Sequence, residues 1–127
     1  MRTGSFKDLK VYQLAFATAI EIFQLTKSFP KEELYSLTDQ IRRSSRSVCA
    51  NIGEGYRKRS YPKHFTSKMT DADGEATETL IWLDFALSAS YINSETHKTL
   101  TEKYQEIGRM LYGMEINPEK FIPRAHA

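Results

Sequence analysis

Apolar residues recur along this chain at helical spacing, with no stretch of strand-like alternation and no internal repeat. Four amphipathic segments separated by breakers follow from that period. The first is expected over about 6–28, ended by Phe29-Pro30, because a residue preceding proline disfavours the helical region. The second covers about 34–58. Ser60 is the expected N-cap of a third helix over 61–91, with Pro62 in its first turn. Ser94 is the expected cap of the fourth, 94–115, closed by Asn117-Pro118. A tail over 116–127 follows, loose from Ile122 to Ala127. Short connections make consecutive helices antiparallel neighbours. The expected fold is all-α, an antiparallel up-down-up-down four-helix bundle in a single domain, 1–127. At 127 residues it is large enough to fold without disulfides or metal.

The helical wheel, at about 100° per residue, separates the faces. Leu100, Tyr104, Ile107, Leu111 and Met114 make one stripe on the fourth helix. The first helix carries two. Leu9, Tyr12, Phe16, Ala19, Ile20 and Phe23 lie on one side, and Val11, Leu14, Ile22 and Leu25 roughly opposite. The third helix also has two, a long one from Phe65 to Leu87 and a second made of Ile81, Trp82, Phe85 and Ile92. A helix in a lone bundle needs one apolar stripe, so a second predicts self-association. Trp82, Phe85, Ile81, Leu14 and Ile22 are the expected interface residues, with the two aromatics as anchors.

Charge is unevenly spread. Eight of the eighteen Lys and Arg residues fall between Ile41 and Thr70, against one acid, Glu54. A concentrated positive field points to a polyanion, above all nucleic acid. Arg42, Arg46 and Arg57 share a face of the second helix well away from Leu37, Ile41, Val48 and Ile52. Lys58, Arg59 and Lys63 continue the patch across the next turn. Tyr56 and Tyr61 lie within it, placed to stack on unpaired bases. The competing reading is a solvated face with local ion pairs. Arg43 stands apart from Arg42 and Arg46 and is the most structural of the set, with Glu78 as its expected partner. Gly53 and Gly55 mark either a helix end or a close approach of another backbone. Asn51, beside the core stripe, is expected to hydrogen-bond across a helix contact.

These residues also carry a resemblance. Gln40-Ile41-Arg42-Arg43, Ser47-Val48 and Asn51-Ile52-Gly53-Glu54-Gly55 resemble the motif of the four-helix-bundle proteins encoded in 23S rRNA intervening sequences. Phe6 to Tyr12, the link from Phe29-Pro30 to Gln40, and Gly74-x-x-x-Glu78 extend it over roughly 6–114. Glu75 stands where that family commonly has Ser, and Gly53 where it commonly has Ala. The resemblance implies a homopentamer with a central channel and no catalytic activity. A related branch, the accessory proteins of diversity-generating retroelements, implies nucleic acid and a reverse transcriptase as partners.

Other chemistry finds little support. His64, His97 and His126 are scattered, with no second ligand at metal spacing. Asp71 to Glu75 lacks the Gly and Glu that a calcium loop needs at its sixth and twelfth positions. Cys49, the sole cysteine, reads as a buried thiol. No cofactor, metal site or catalytic residue is expected, so the chain reads as a non-enzyme. The N-terminus has no apolar signal core and no stretch is long enough to span a bilayer, so a cytoplasmic protein with no membrane partner is expected. The leading reading is an oligomer that binds structured RNA or DNA through the basic face. The alternative is a scaffold that recruits an acidic protein partner without touching nucleic acid.

Overall fold

The computed structural model describes residues 4–123. Four helices, α1 (Lys10–Thr26), α2 (Leu37–Arg57), α3 (Pro62–Ser88) and α4 (Ser94–Ile116), form an all-α bundle, with no strand among the described residues. Each helix packs against its neighbours in sequence, and α1 closes the bundle against α4.

Helix ends differ from expectation for local reasons. The first helix does not begin at Phe6. Ser5 accepts from the Lys7 N–H and Asp8 accepts from the Ser5 N–H, closing a short 3-10 turn over Phe6–Asp8. Leu9 is then extended, and α1 starts after it. Between α1 and α2, Glu33 collects three donors: the Ser36 hydroxyl at 2.7 Å, the Leu37 N–H at 3.2 Å and the Tyr91 hydroxyl at 2.8 Å. It thereby satisfies an open N–H at the start of α2 and ties that link to the far end of α3. Tyr61, not Ser60, holds the N-cap position of α3, with Pro62 as its first residue. Asn93, not Ser94, caps α4 by accepting from the Thr96 N–H at 2.8 Å. The α3–α4 turn is a Schellman motif with Ser90 in the left-handed region (φ 64°), where Tyr91 N–H reaches Ala86 O and Ser90 N–H reaches Leu87 O.

The chain after α4 makes one more turn ahead of the stretch expected to be loose. Pro118–Phe121 form a 3-10 turn, and the Phe121 ring stacks on Phe65 at 5.3 Å between centroids. Residues 124–127 of that tail lie outside the described residues, as do 1–3.

The α4 stripe from Leu100 to Met114 is buried throughout, as are Leu37, Ile41, Val48 and Ile52 of α2. The first helix reverses the expected assignment. Val11, Ala15, Thr18 and Ile22 face inward, whereas Phe16 (51%) and Ile20 (47%) are exposed. Small side chains explain it, because Ala15, Thr18 and Ala19 let α1 approach its neighbours closely and the bulky aromatic edge is left outside. Ile22 is therefore core, and Leu14 is half-buried against it. Ile92, grouped with the second stripe of the third helix, is also core, at 7% exposure.

Candidate nucleic-acid interface

The outer face of α2 presents the arginines, but several are already engaged. Arg42 is half-buried; its Nε donates to Thr26 Oγ1 at 2.8 Å and its guanidinium lies 4.7 Å from the centre of the Phe23 ring. Arg46 is exposed and sits over the same ring at 5.5 Å. Phe23 thus props two arginines against α1, a role the sequence did not disclose because it needs the α1–α2 crossing. Arg43 pairs with Glu75 at 3.3 Å and with Glu78, so it clamps α2 to α3 as expected. Glu75, the residue that departs from the family pattern, is thereby accommodated.

The α2–α3 turn holds the remaining charges. Arg57, Lys58 and Lys63 are exposed. Arg59 folds back, donating to Tyr56 O at 2.8 Å with its guanidinium 4.0 Å from the centre of the Tyr56 ring. Among the described residues, no carboxylate lies within ion-pair distance of Arg42, Arg46, Arg57, Lys58 or Lys63. Glu54 instead bonds Lys68 of α3 at 2.8 Å; that bond, more than the nearby Lys58, holds its carboxyl below the usual range. Tyr61 is exposed and meets His64 edge-to-face, whereas Tyr56 is half-buried. Of the two tyrosines read as stacking residues, only Tyr61 offers an open ring.

The motif residues between these charges are structural. A Cβ on Gly55 would overlap the Met69 methyl and come within 2.8 Å of Lys68 Cβ, so this glycine permits close α2–α3 packing. A Cβ on Gly53 would make only ordinary contact with the Phe6 ring, at 3.4 Å, so packing does not require a glycine there. Gln40 accepts from Arg43 Nε at 3.1 Å. Asn51 does not bond across helices; it donates to Ser47 O at 2.9 Å within α2. A fully buried polar bond between α2 and α3 is made instead by Ser44 and Thr79, at 2.8 Å. Burial pushes the Cys49 thiol up to about 11, which removes its reactivity at neutral pH.

Beside the arginines lies an apolar groove of about 750 Å³ between α1 and α2, lined by Phe6, Phe16, Ile20 and Phe23 with Arg46 and Arg57 at its edge. Of the expected interface residues, Ile81 (46%) and Phe85 (58%) are exposed. Trp82 is half-buried against the core, and its indole N–H donates to Glu78 at 3.1 Å. On α1 the exposed apolar residues are Phe16 and Ile20, whereas Ile22 is buried and Leu14 half-buried. The second stripe was visible in the sequence, but not which stripe faced outward.

The helix order, the Arg43–Glu78 clamp and the glycine-mediated α2–α3 contact define a small four-helix-bundle protein with a basic outer helix. Residues 7–113 match the family described as 23S rRNA-intervening sequence protein, and the chain belongs to that family. A solved structure from Bacteroides thetaiotaomicron VPI-5482, described as a protein with unknown function from the S23 ribosomal protein family, is 29% identical. It superimposes with a TM-score of 0.76 over 84% of this chain and 95% of that one. No curated protein matches the chain. Neither description names an enzyme. Among the described residues, no helix is long and apolar enough to cross a membrane, and no cluster of three or more His, Cys, Asp or Glu residues could hold a metal ion.

Proposed function

We propose that this protein is a non-enzymatic, self-associating bundle of the cytoplasm that binds structured RNA or DNA along the phosphate backbone. The observation that carries the reading is the α2–α3 turn, where Arg57, Lys58 and Lys63 are exposed with no carboxylate at ion-pair distance among the described residues. Arg46 extends this surface along α2, while Arg42 and Arg59 contribute charge from positions held by Phe23 and Tyr56. Each phosphate contact releases counterions, and repetition of the patch in an assembly multiplies weak contacts into avidity. Phosphate contacts position a protein without reading sequence, so low base specificity is expected. The family resemblance makes five the expected number of copies.

Affinity for a structured RNA and a DNA duplex, measured across a salt series, tests this. The logarithm of affinity should fall linearly with the logarithm of salt. Lys58→Ala combined with Lys63→Ala should flatten that slope by about 1 to 2, at roughly 0.9 per phosphate neutralised. Undetectable binding to both at low salt would sink the proposal. The groove edged by Arg46 and Arg57 favours a second reading, a scaffold that recruits an acidic protein such as a reverse transcriptase. Capture of such a partner after nuclease treatment, by a chain that binds no nucleic acid, is the outcome that reading requires.

A further inference from the structure

Asp39 lies in the first turn of α2, three residues before Arg42 and four before Arg43, the spacings at which a helix pairs opposite charges. Neither pair forms. Arg42 is drawn to Thr26 and the Phe23 ring, and Arg43 to Glu75 and Glu78. Asp39 does not serve the helix start either, since Glu33 takes the Leu37 N–H. It is exposed, and among the described residues no cation lies within ion-pair distance of it. A carboxylate in a first turn suits the helix dipole, so its presence alone requires no ligand. Its surroundings do more. Tyr35 is 90% exposed, the most open large apolar side chain among the described residues. Its ring meets no other aromatic ring among them. Tyr35 and Asp39 line one hollow of about 650 Å³ together with Leu34, Arg42, Arg43 and Arg46.

We infer that this hollow takes an unpaired guanine of a nucleic-acid strand, with its ring on Tyr35, its Watson–Crick edge on Asp39 and the adjoining phosphates on Arg42 and Arg46. This site presupposes the nucleic-acid reading above and adds to it a base preference that phosphate contacts alone do not supply. An open aromatic ring stacks any base that has left its own helix. A carboxylate only accepts, so it selects an edge made of donors. Guanine presents two side by side, N1–H and the N2 amino group, matching the two oxygens of Asp39. Adenine, cytosine and uracil each set an acceptor beside their donor, against the second oxygen. In a duplex that edge is already paired, so the base must be unpaired. Only Nε of Arg42 is committed to Thr26, which leaves its terminal nitrogens for a phosphate. Arg46 is exposed and lies about 20° from Asp39 on the wheel, and Arg57 returns to the same angle about 27 Å further on. The strand therefore continues from the hollow along α2 to the open cations of the α2–α3 turn. An acidic protein segment would suit the arginines but meet repulsion from Asp39, whereas a neutral base edge does not.

Fluorescence anisotropy at low salt tests this with labelled uridine strands of about eight nucleotides that differ only in one central base. The wild-type chain should bind the guanine strand roughly tenfold more tightly than the adenine strand. Inosine, which keeps N1–H and lacks the N2 amino group, should fall between them. The same strands built on deoxyribose should show the same order, because the contact is to the base. Tyr35→Ala should weaken the guanine strand by about fivefold to a hundredfold, the range for losing one base–aromatic stack. Asp39→Asn should abolish the preference for guanine while tightening the all-uridine strand, since it removes a negative charge. Both side chains are exposed, so the fold should survive either change. GMP should compete only weakly; GMP binding as tightly as the strand would overturn the strand and make the hollow a mononucleotide site. Strands that bind without a guanine preference, or a preference untouched by either substitution, would overturn this site while leaving phosphate-backbone binding in place. No binding of any strand or duplex would overturn both.

Discussion

Replacing Ile22 by Ala decides which stripe of α1 carries the bundle. Ile22 is fully buried, so the change deletes three carbons from closed packing. At about 0.8 kcal/mol per buried methylene-sized group, transfer alone amounts to about 2.4 kcal/mol. The space left unfilled raises the cost to about 3–4 kcal/mol. With an unfolding entropy of about 2.1 cal/mol/K per residue, a chain of 127 residues loses roughly 11 °C in Tm for 3 kcal/mol. Ile20, two positions away, is 47% exposed, so its truncation loses about half the buried area and opens no cavity. About 1 kcal/mol, or roughly 4 °C, is expected there. Urea unfolding and calorimetry at two protein concentrations tenfold apart separate folding from association, since only the Ile20 loss should grow with concentration. Equal costs at dilution, or a larger one at Ile20, would show that the inward stripe has been misassigned.

Gly55→Ala should cost about 1–3 kcal/mol, because the added methyl meets Met69 and Lys68 where α2 and α3 touch; an unfolding free energy equal to wild type would contradict that contact. Glu33 is held below the ordinary carboxyl range by Ser36, then Tyr91, then the Leu37 N–H, so its contribution is present above that range and is lost as pH falls through the lowered value. Tyr91→Phe should therefore lower Tm at pH 7, with the difference from wild type shrinking toward pH 3; a pH-independent difference would rule out the charged bond. Glu115 has the opposite sign. Burial first, and Asp73 next, raise its carboxyl, so its contribution favours the fold at low pH and is lost as pH rises through the raised value. Glu115→Gln should raise Tm at pH 7 and make little difference at pH 4, and a loss at pH 7 would refute the repulsion.

How far the sequence could be read depended on whether an interaction was local. The α4 stripe, the α2 core positions and the Pro62 start depend on helical period and on the geometry of proline, so they were legible. The caps were legible only in outline. Ser94 and Asn93 are both good capping residues, and the structure uses the one whose side chain reaches the Thr96 N–H. Glu33 was missed as the anchor of the α1–α2 link because one of its donors, Tyr91, comes from the α3–α4 turn, 58 residues away in sequence.

The candidate site divides along the same line. Clustering of charge between Ile41 and Thr70 is a property of composition and order, and so is the family motif that runs through it. Which charges are spoken for is not. Phe23 and Thr26 reach Arg42 only because α1 crosses α2, and Glu75 and Glu78 reach Arg43 only because α3 lies alongside. The two apolar stripes of α1 were likewise evident from the sequence as a pair. Periodicity places residues on a helix face but carries no information about which face turns inward. That choice came from how closely Ala15, Thr18 and Ala19 let neighbouring helices approach, so the number of helices and their period belonged to the sequence alone, and the outward faces of the bundle to its packing.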